Sequence, residues 1–183
     1  MHALTLTNES SQIKAAQRDP QAFQPLYEHY HPIIFRFVRR RVESEAITAD
    51  ITAQVFLNVL LHLKRYRITE APFSAWLHRI ALNEIRQFFR QTTRVRQVVI
   101  DQRLLEQLRE EEPAEDLEAS YEALTRAIQT LSLDEVNLLE LRFFEQRPFR
   151  EIGFLLSITE NYAKVRTYRL LDKLRQRLLT PPL

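Results

Sequence analysis

Apolar residues recur along most of this chain with the period of about 3.6 residues that is typical of an amphipathic α-helix. The pattern predicts a helical stretch that begins after Asp19 as N-cap, carries Pro20 in its first turn and is kinked at Pro32. A second helix is predicted over residues 46–65. A third covers "FSAWLHRIALNEIRQFFR", residues 73 to 90.

The third predicted helix has two unlike faces. Aliphatic and aromatic residues fill one side, although Glu84 interrupts it, and Trp76 lies one turn before the polar side. The polar side is a single stripe at helical spacing, formed by Arg79, Asn83, Arg86 and Arg90. The pattern alone leaves open whether this stripe contacts a partner or faces water.

The apolar pattern resumes after an acidic stretch, residues 110–118. A capping box from Ser132 to Glu135 precedes an apolar run, and a short helix, a tight break and a long basic helix follow. A helix-turn-helix needs a small residue where its helices cross, and the single glycine of the chain, Gly153, stands at that position. Thr159 is suited to cap the second helix, whereas Ser157 is only a fair choice for a left-handed turn residue.

The long basic helix is therefore a candidate recognition helix. Side chains at the start of such a helix reach base edges, and cationic side chains farther along bind phosphates. The residues expected at its exposed end are Thr159, Glu160, Asn161, Lys164, Val165 and Tyr168; those expected nearer the phosphates are Tyr162, Arg166, Arg169 and Lys173. The alternative is an amphipathic helix with a solvated basic face.

Composition narrows the fold class to all-α. A single glycine in 183 residues argues against β-hairpins and Gly-rich phosphate loops. We expect two small helical domains, residues 10–95 and 118–183, joined by an acidic linker over residues 96–117, with the C-terminal domain a helix-turn-helix. Residues 1–95 carry 13 Lys and Arg against 8 Asp and Glu, residues 96–120 carry 3 against 8, and residues 121–183 carry 10 against 8. This asymmetry favours a polyanionic partner.

Other classes of function find little support. The absence of cysteine excludes disulfides and thiolate metal sites, and the spacing of the five histidines is not typical of a zinc site. We therefore predict no metal, no cofactor and no enzymatic activity. No secretion signal is recognised, and no apolar run approaches the length of a membrane span, so we predict a cytoplasmic protein without membrane insertion.

The order of segments resembles that of bacterial RNA polymerase sigma factors of the extracytoplasmic-function (ECF) group, over roughly residues 18–180. The resemblance rests on "AFQPLYEHYHPIIFRFV", then "ADITAQVFLNVL", then "FSAWLHRIALNEIRQFF", and after the linker "LRFFEQRPFREIGFLLSITENYAKVRTYRLLDKLR". It implies a subunit that binds core RNA polymerase through its β′ and β subunits, recognises promoter DNA and is restrained by an anti-sigma factor. This chain departs from the family pattern at Ala53 and Gln54, where the family usually has Gln and Glu, and at Leu82 and Gln87.

The resemblance also implies roles for individual residues. The residues implied to bind a coiled coil of the β′ subunit are Asp50, Gln54, Phe56, Leu57 and Asn58. The residues implied to melt and read the minus-ten element are Arg65, Tyr66, Arg67, Phe73, Arg79, Asn83, Arg86 and Arg90. Aromatic platforms and cationic grooves are indeed the means by which proteins hold unpaired bases. Trp76 and Phe73 have core packing as an alternative role.

An ordinary helix-turn-helix regulator remains the nearest rival function. Such a protein binds DNA by itself, whereas a sigma factor needs core polymerase. A purely structural helical adaptor would account for the apolar cores but would leave both basic faces without a role.

Overall fold

The computed structural model describes residues 8–42, 44–68, 71–92 and 117–179, and every regular element in these ranges is helical. The chain divides into two compact units, Met1–Arg94 and Val95–Leu183. The predicted all-α fold with two helical units is confirmed. The predicted linker, residues 96–117, lies almost wholly outside the described residues and stays a prediction.

The first unit is built from helices α1 to α4. They span Glu9–Arg18 (α1), Gln24–Arg39 (α2), Glu45–Leu63 (α3) and Phe73–Thr92 (α4), and a short 3-10 turn, Pro20–Phe23, precedes α2. Asp19 caps the 3-10 turn, as predicted, because its side chain accepts from the backbone N–H of Gln21 at 3.0 Å. Helix α2 contains Pro32 within its span.

The core of the first unit lies where α2, α3 and α4 pack against one another. Each helix contributes an apolar face at the spacing predicted from the sequence. The fully buried residues include Leu26, Ile34, Val55, Val59, Leu77, Ala81 and Ile85. Their packing aligns α3 beside α4, so the predicted docking helix and the predicted DNA-contacting helix share one interface.

Helix α3 corrects the expectation that no segment is long and apolar enough to cross a membrane. By length and composition alone Glu45–Leu63 meets that criterion. Its buried residues, among them Ile51, Val55 and Val59, nevertheless pack against α2 and α4. A helix that packs against two neighbours needs apolar residues on its inner side, and these residues contribute to its apolar composition without a membrane.

The second unit contains helices α5 to α8. They span Leu117–Gln129 (α5), Leu133–Leu139 (α6), Phe149–Leu156 (α7) and Glu160–Leu179 (α8), and a π-helical turn, Glu140–Phe144, follows α6. The predicted capping box is confirmed: Ser132 Oγ accepts from the N–H of Glu135, and Glu135 Oε2 accepts from the N–H of Ser132 at 2.7 Å. It fixes the start of α6.

Helices α7 and α8 meet at the predicted close contact. A Cβ on Gly153 would lie 2.8 Å from the carbonyl oxygen of Ile158 and 3.1 Å from the nitrogen of Glu160. Ser157 ends α7 in the left-handed conformation, with φ of 58°, and Thr159 Oγ1 accepts from the N–H of Tyr162 at 3.2 Å. Glycine, left-handed residue and cap therefore stand where the sequence predicted them.

Candidate nucleic-acid and polymerase interfaces

The turn after α3 holds Tyr66 against a cluster of aromatic rings. The Tyr66 ring centroid is 4.6 Å from that of Trp76 and 5.2 Å from that of Phe73, and Tyr30 lies against Phe73 at 5.6 Å. We call these four residues the aromatic cage. Burial, and then the charge of Glu9, raise the pKa of Tyr66, so its hydroxyl stays protonated at neutral pH.

The prediction that Phe73 contacts unpaired bases is wrong. Its side chain is only 1% exposed, at the first residue of α4. The ring is enclosed by the other members of the cage. Its part in the site is therefore to support Tyr66 and Trp76, both of which are half-buried.

Arg65 and Arg67 flank Tyr66 and are both exposed. The turn thus presents guanidinium groups on either side of an aromatic ring whose position is set by packing. The cations can bind a phosphate, while the fixed ring can stack on a base. The sequence identified these residue types correctly, but the cage that orients them comes from α2 and α4.

The polar stripe of α4 is graded in exposure. Asn83 and Arg90 are exposed, whereas Arg79 and Arg86 are half-buried. Arg86 Nη1 donates to Asn83 Oδ1 at 3.3 Å. This contact occupies the amide oxygen, and the amide N–H groups of Asn83 can donate to other acceptors.

Glu84 has a structural role that the sequence pattern does not reveal. Its Oε1 accepts from Asn58 Nδ2 at 2.8 Å, which ties α4 to α3. Asn58, predicted to bind polymerase, is half-buried and engaged in this bond. A carboxylate in the apolar face of a helix is explained once its partner on the neighbouring helix is known.

The predicted docking residues of α3 fall into two groups. Asp50, Gln54 and Leu57 are exposed and share a face of the helix. Phe56 corrects the prediction: it is 4% exposed, and its ring packs against Tyr27 with centroids 4.8 Å apart, as well as against Phe23 and His31. It belongs to the core.

Two leucines of the same helix are exposed although they were not predicted as site residues. Leu60 is 41% exposed, and Leu61 is 66% exposed. With Leu57 they form an apolar surface on α3, which we call the leucine patch. The run "LLHL" carries more leucines than one buried stripe can hold, and this excess is the signal that could have revealed the patch.

The recognition-helix residues are mostly free of packing. Glu160, Asn161, Lys164 and Arg169 are exposed, and so are the large side chains of Tyr162, Val165 and Tyr168. Arg166 is half-buried, while Ala163, Thr167 and Leu170 face inward. The first three turns of α8 therefore present one continuous face that combines donors, acceptors and apolar atoms.

The prediction that Lys173 binds a phosphate is wrong. Its Nζ lies 2.9 Å from Glu135 Oε1, so it pairs with the capping box of α6. Burial by itself raises the pKa of Glu135, but the hydrogen bonds from Lys173 and Ser132 outweigh it and hold that pKa below its usual range. Lys173 therefore joins α8 to α6 rather than extending the exposed basic face.

Comparison with known proteins agrees with this arrangement. Residues 26–95 match the family model of Sigma-70 region 2. The chain is 28% identical over 159 residues to the ECF RNA polymerase sigma factor BldN of Streptomyces coelicolor, covering 85% of this chain and 60% of that protein. It is 27% identical over 158 residues to the RNA polymerase sigma factor SigZ of Bacillus subtilis, covering 85% of this chain and 86% of that protein.

A solved structure shares the fold. CnrH, in complex with the cytosolic domain of CnrY, matches with a TM-score of 0.56 and 18% identity over 90% of this chain and 92% of that one. The helical fold, the region 2 match and the relatives together define the class of protein. The chain is similar to RNA polymerase sigma factors, several of them of the ECF group, and these matches support a sigma factor that directs transcription initiation.

Proposed function

We propose that this sigma factor divides promoter recognition between its units: the first binds core polymerase and captures unpaired minus-ten bases, and the second reads the minus-thirty-five element as duplex. The observation that carries the proposal is the continuity of the Tyr66 turn with the polar stripe of α4, since Tyr66 packs directly on Trp76 of that helix.

The first unit has the chemistry needed to hold single-stranded DNA. Arg65 and Arg67 supply cations beside the ring of Tyr66, and Asn83 supplies amide donors for a base edge. Opening a duplex costs stacking energy, and a protein offsets it by stacking and hydrogen-bonding the released bases. Arg79, Arg86 and Arg90 extend the cationic surface along α4 and favour the phosphate backbone.

The exposed face of α8 suits duplex DNA. Glu160, Asn161 and Lys164 lie in the first turns, where side chains of a recognition helix reach base edges in the major groove. Val165 offers a methyl contact, and Arg169 lies farther along, where phosphate contacts are made. Thr159 caps the helix and so fixes the direction in which these side chains project.

The exposed side of α3 is the proposed polymerase contact. Asp50 and Gln54 supply polar groups, and the leucine patch supplies apolar area, a combination typical of protein interfaces. The β′ and β subunits of core polymerase are the proposed partners. Phe56 and Asn58 act from within, as a core residue and a tie to α4.

Regulation and location complete the proposal. CnrH was solved with the cytosolic domain of CnrY, and we propose by analogy that an anti-sigma factor restrains this chain. A sigma factor works where polymerase and DNA are, so we propose a cytoplasmic location. It acts by binding and has no catalytic activity of its own.

Run-off transcription with core polymerase tests the proposal. We expect template-specific transcripts only when this chain is added. DNA binding of full strength without polymerase would instead favour the helix-turn-helix regulator. Asn83→Ala should reduce open-complex formation while leaving the affinity for core polymerase unchanged. Gln91→Ala, at an exposed position in the last turn of α4, is the matched control and should behave as the native chain does.

A further inference from the structure

Helix α1 makes polar contacts beneath the DNA-binding turn. It spans Glu9–Arg18 and lies outside the region 2 match, which begins at residue 26. Both ends of the helix contribute: Gln17 reaches the turn itself, and Glu9 reaches the aromatic cage. Neither contact was foreseen from the sequence, because each joins residues far apart in the chain.

Gln17 binds both ends of the turn that carries Tyr66. The last carbonyls of a helix lack intrahelical donors. At the end of α3 the carbonyl of Leu63 accepts from the N–H of Tyr66 at 3.0 Å and from Gln17 Nε2 at 2.9 Å. The same Nε2 donates to the carbonyl of Tyr66 at 2.7 Å. One carboxamide thus holds the first and last residues of the turn together.

Glu9 supports the cage from behind. The hydroxyl of Tyr30 donates a hydrogen bond to Glu9 Oε1, and the Tyr30 ring lies against Phe73. Burial, followed by the hydrogen bond and charge of Glu9, raises the pKa of Tyr30, so this phenol remains a donor at neutral pH. Helix α1 therefore contacts both the backbone of the turn and the rings against which Tyr66 packs.

We propose that α1 is a positioning element of the minus-ten site and that Gln17 is a positioning residue, which holds the Leu63–Tyr66 turn so that Arg65 and Arg67 are oriented before DNA arrives. Preorganisation of this kind lowers the entropic cost of binding a flexible single strand. The link to DNA rests on the proposed function, whereas the clamping of the turn is a property of the free protein.

The single tryptophan allows the clamp to be tested without DNA. Trp76 lies 4.6 Å from Tyr66, so its fluorescence reports the position of the turn. Gln17→Met keeps the length of the side chain and removes both donors, while Gln17→Lys restores a donor with a charge that suits a helix C-terminus. The matched control is Gln12→Met, on the same helix, because the carboxamide oxygen of Gln12 has no hydrogen-bond partner among the described residues.

In the free protein, Gln17→Met should make Trp76 more accessible to acrylamide and speed hydrogen exchange at the Tyr66 amide by about tenfold, as expected for the loss of two hydrogen bonds. Gln17→Lys should restore most of the protection, and Gln12→Met should change neither readout. Should Gln17→Met lose helicity, Gln17→Asn, whose amide is one methylene shorter, takes its place. Unchanged accessibility and exchange in the folded Gln17 variant, or an equal effect of Gln12→Met, would overturn the clamp.

The DNA arm uses the complex with core polymerase and a single-stranded minus-ten oligonucleotide. Gln17→Met should weaken capture by about tenfold with the affinity for core polymerase unchanged, and Gln17→Lys should recover it. If Gln17→Met loosens the turn but binds the oligonucleotide as the native chain does, the turn is not part of the minus-ten site. That result would also overturn the role of α1 in DNA binding. That result differs from failure of the clamp, in which Trp76 and the Tyr66 amide do not respond.

Discussion

The two surfaces proposed to contact promoter DNA are built in opposite ways. In the second unit, the α7–α8 motif takes its geometry from a short continuous segment, Gly153 to Thr159. In the first unit, the Tyr66 turn depends on α1, α2 and α4, through Gln17, Tyr30 and the start of α4. A duplex has a regular groove that one well-aimed helix can read, whereas unpaired bases need a surface assembled from several segments.

The locally determined motif should be the more vulnerable to one substitution. Gly153→Ala places a Cβ against the backbone of Ile158 and Glu160, which cannot move aside as a side chain would. We expect the second unit to lose about 2–3 kcal/mol of unfolding free energy, as is typical of overpacking, and duplex binding to be lost. Urea unfolding and duplex titration measure both effects.

Ser157→Gly is the control for that experiment. It also changes the glycine content of the motif, but at a position whose left-handed φ of 58° suits glycine. Duplex binding should be retained. A Gly153→Ala protein as stable as the native chain would show that the helices do not need to approach so closely.

The first unit should instead lose stability when a hydrogen bond between two of its helices is removed. We expect the Asn58–Glu84 hydrogen bond to contribute about 1–2 kcal/mol, because one partner is a carboxylate. A double-mutant cycle of Asn58→Ala and Glu84→Ala, followed by thermal unfolding, measures the coupling. Additive effects of the two substitutions would contradict this role for Glu84.

The salt dependence of duplex affinity can distinguish the exposed face of α8 from the end of the helix that packs against α6. Arg169 is exposed, whereas Lys173 is paired with Glu135. If Arg169 contacts a phosphate, Arg169→Gln should lower the slope of log affinity against log salt by about 0.9, the release of one counterion. Lys173→Gln should leave the slope unchanged. The two substitutions are chemically matched, and equal changes in slope would restore Lys173 to the DNA surface.

The smallest expected effect concerns acid stability of the second unit. The folded pKa of Glu135 is depressed below its usual value of 4.5, so its charge stabilises the fold at neutral pH, and that contribution is lost as pH falls below about 4.5 through the folded pKa. Glu135→Gln keeps the capping-box acceptor and removes the charge.

Native chain and Glu135→Gln should differ by about 0.5 kcal/mol in unfolding free energy at pH 7, a small value because Lys173 is 39% exposed. The difference should shrink at pH 3.5. Denaturant unfolding at the two pH values measures it, and a constant or growing difference would show that the charge of Glu135 does not stabilise the fold.

The partly wrong assignments share one physical cause. Phe56, Phe73 and Lys173 all carry side chains suited to their predicted partners, and helical spacing alone could not tell that each already has a partner within its own unit. The converse error, leaving Glu84 unexplained, arises in the same way, because its partner lies 26 residues earlier in the chain. Periodicity identifies the face of a helix but not the element that packs against it.

The sequence by itself determined the helical fold class, the capping box of α6, the close contact at Gly153 and the similarity to sigma factors. These follow from composition, from contacts a few residues apart and from the order of segments. Only the tertiary structure decided which polar and aromatic side chains remain available to a partner. It also brought Gln17 to carbonyls 46 and 49 residues farther along the chain. Contacts over such separations depend on how whole helices pack, and no local pattern encodes them.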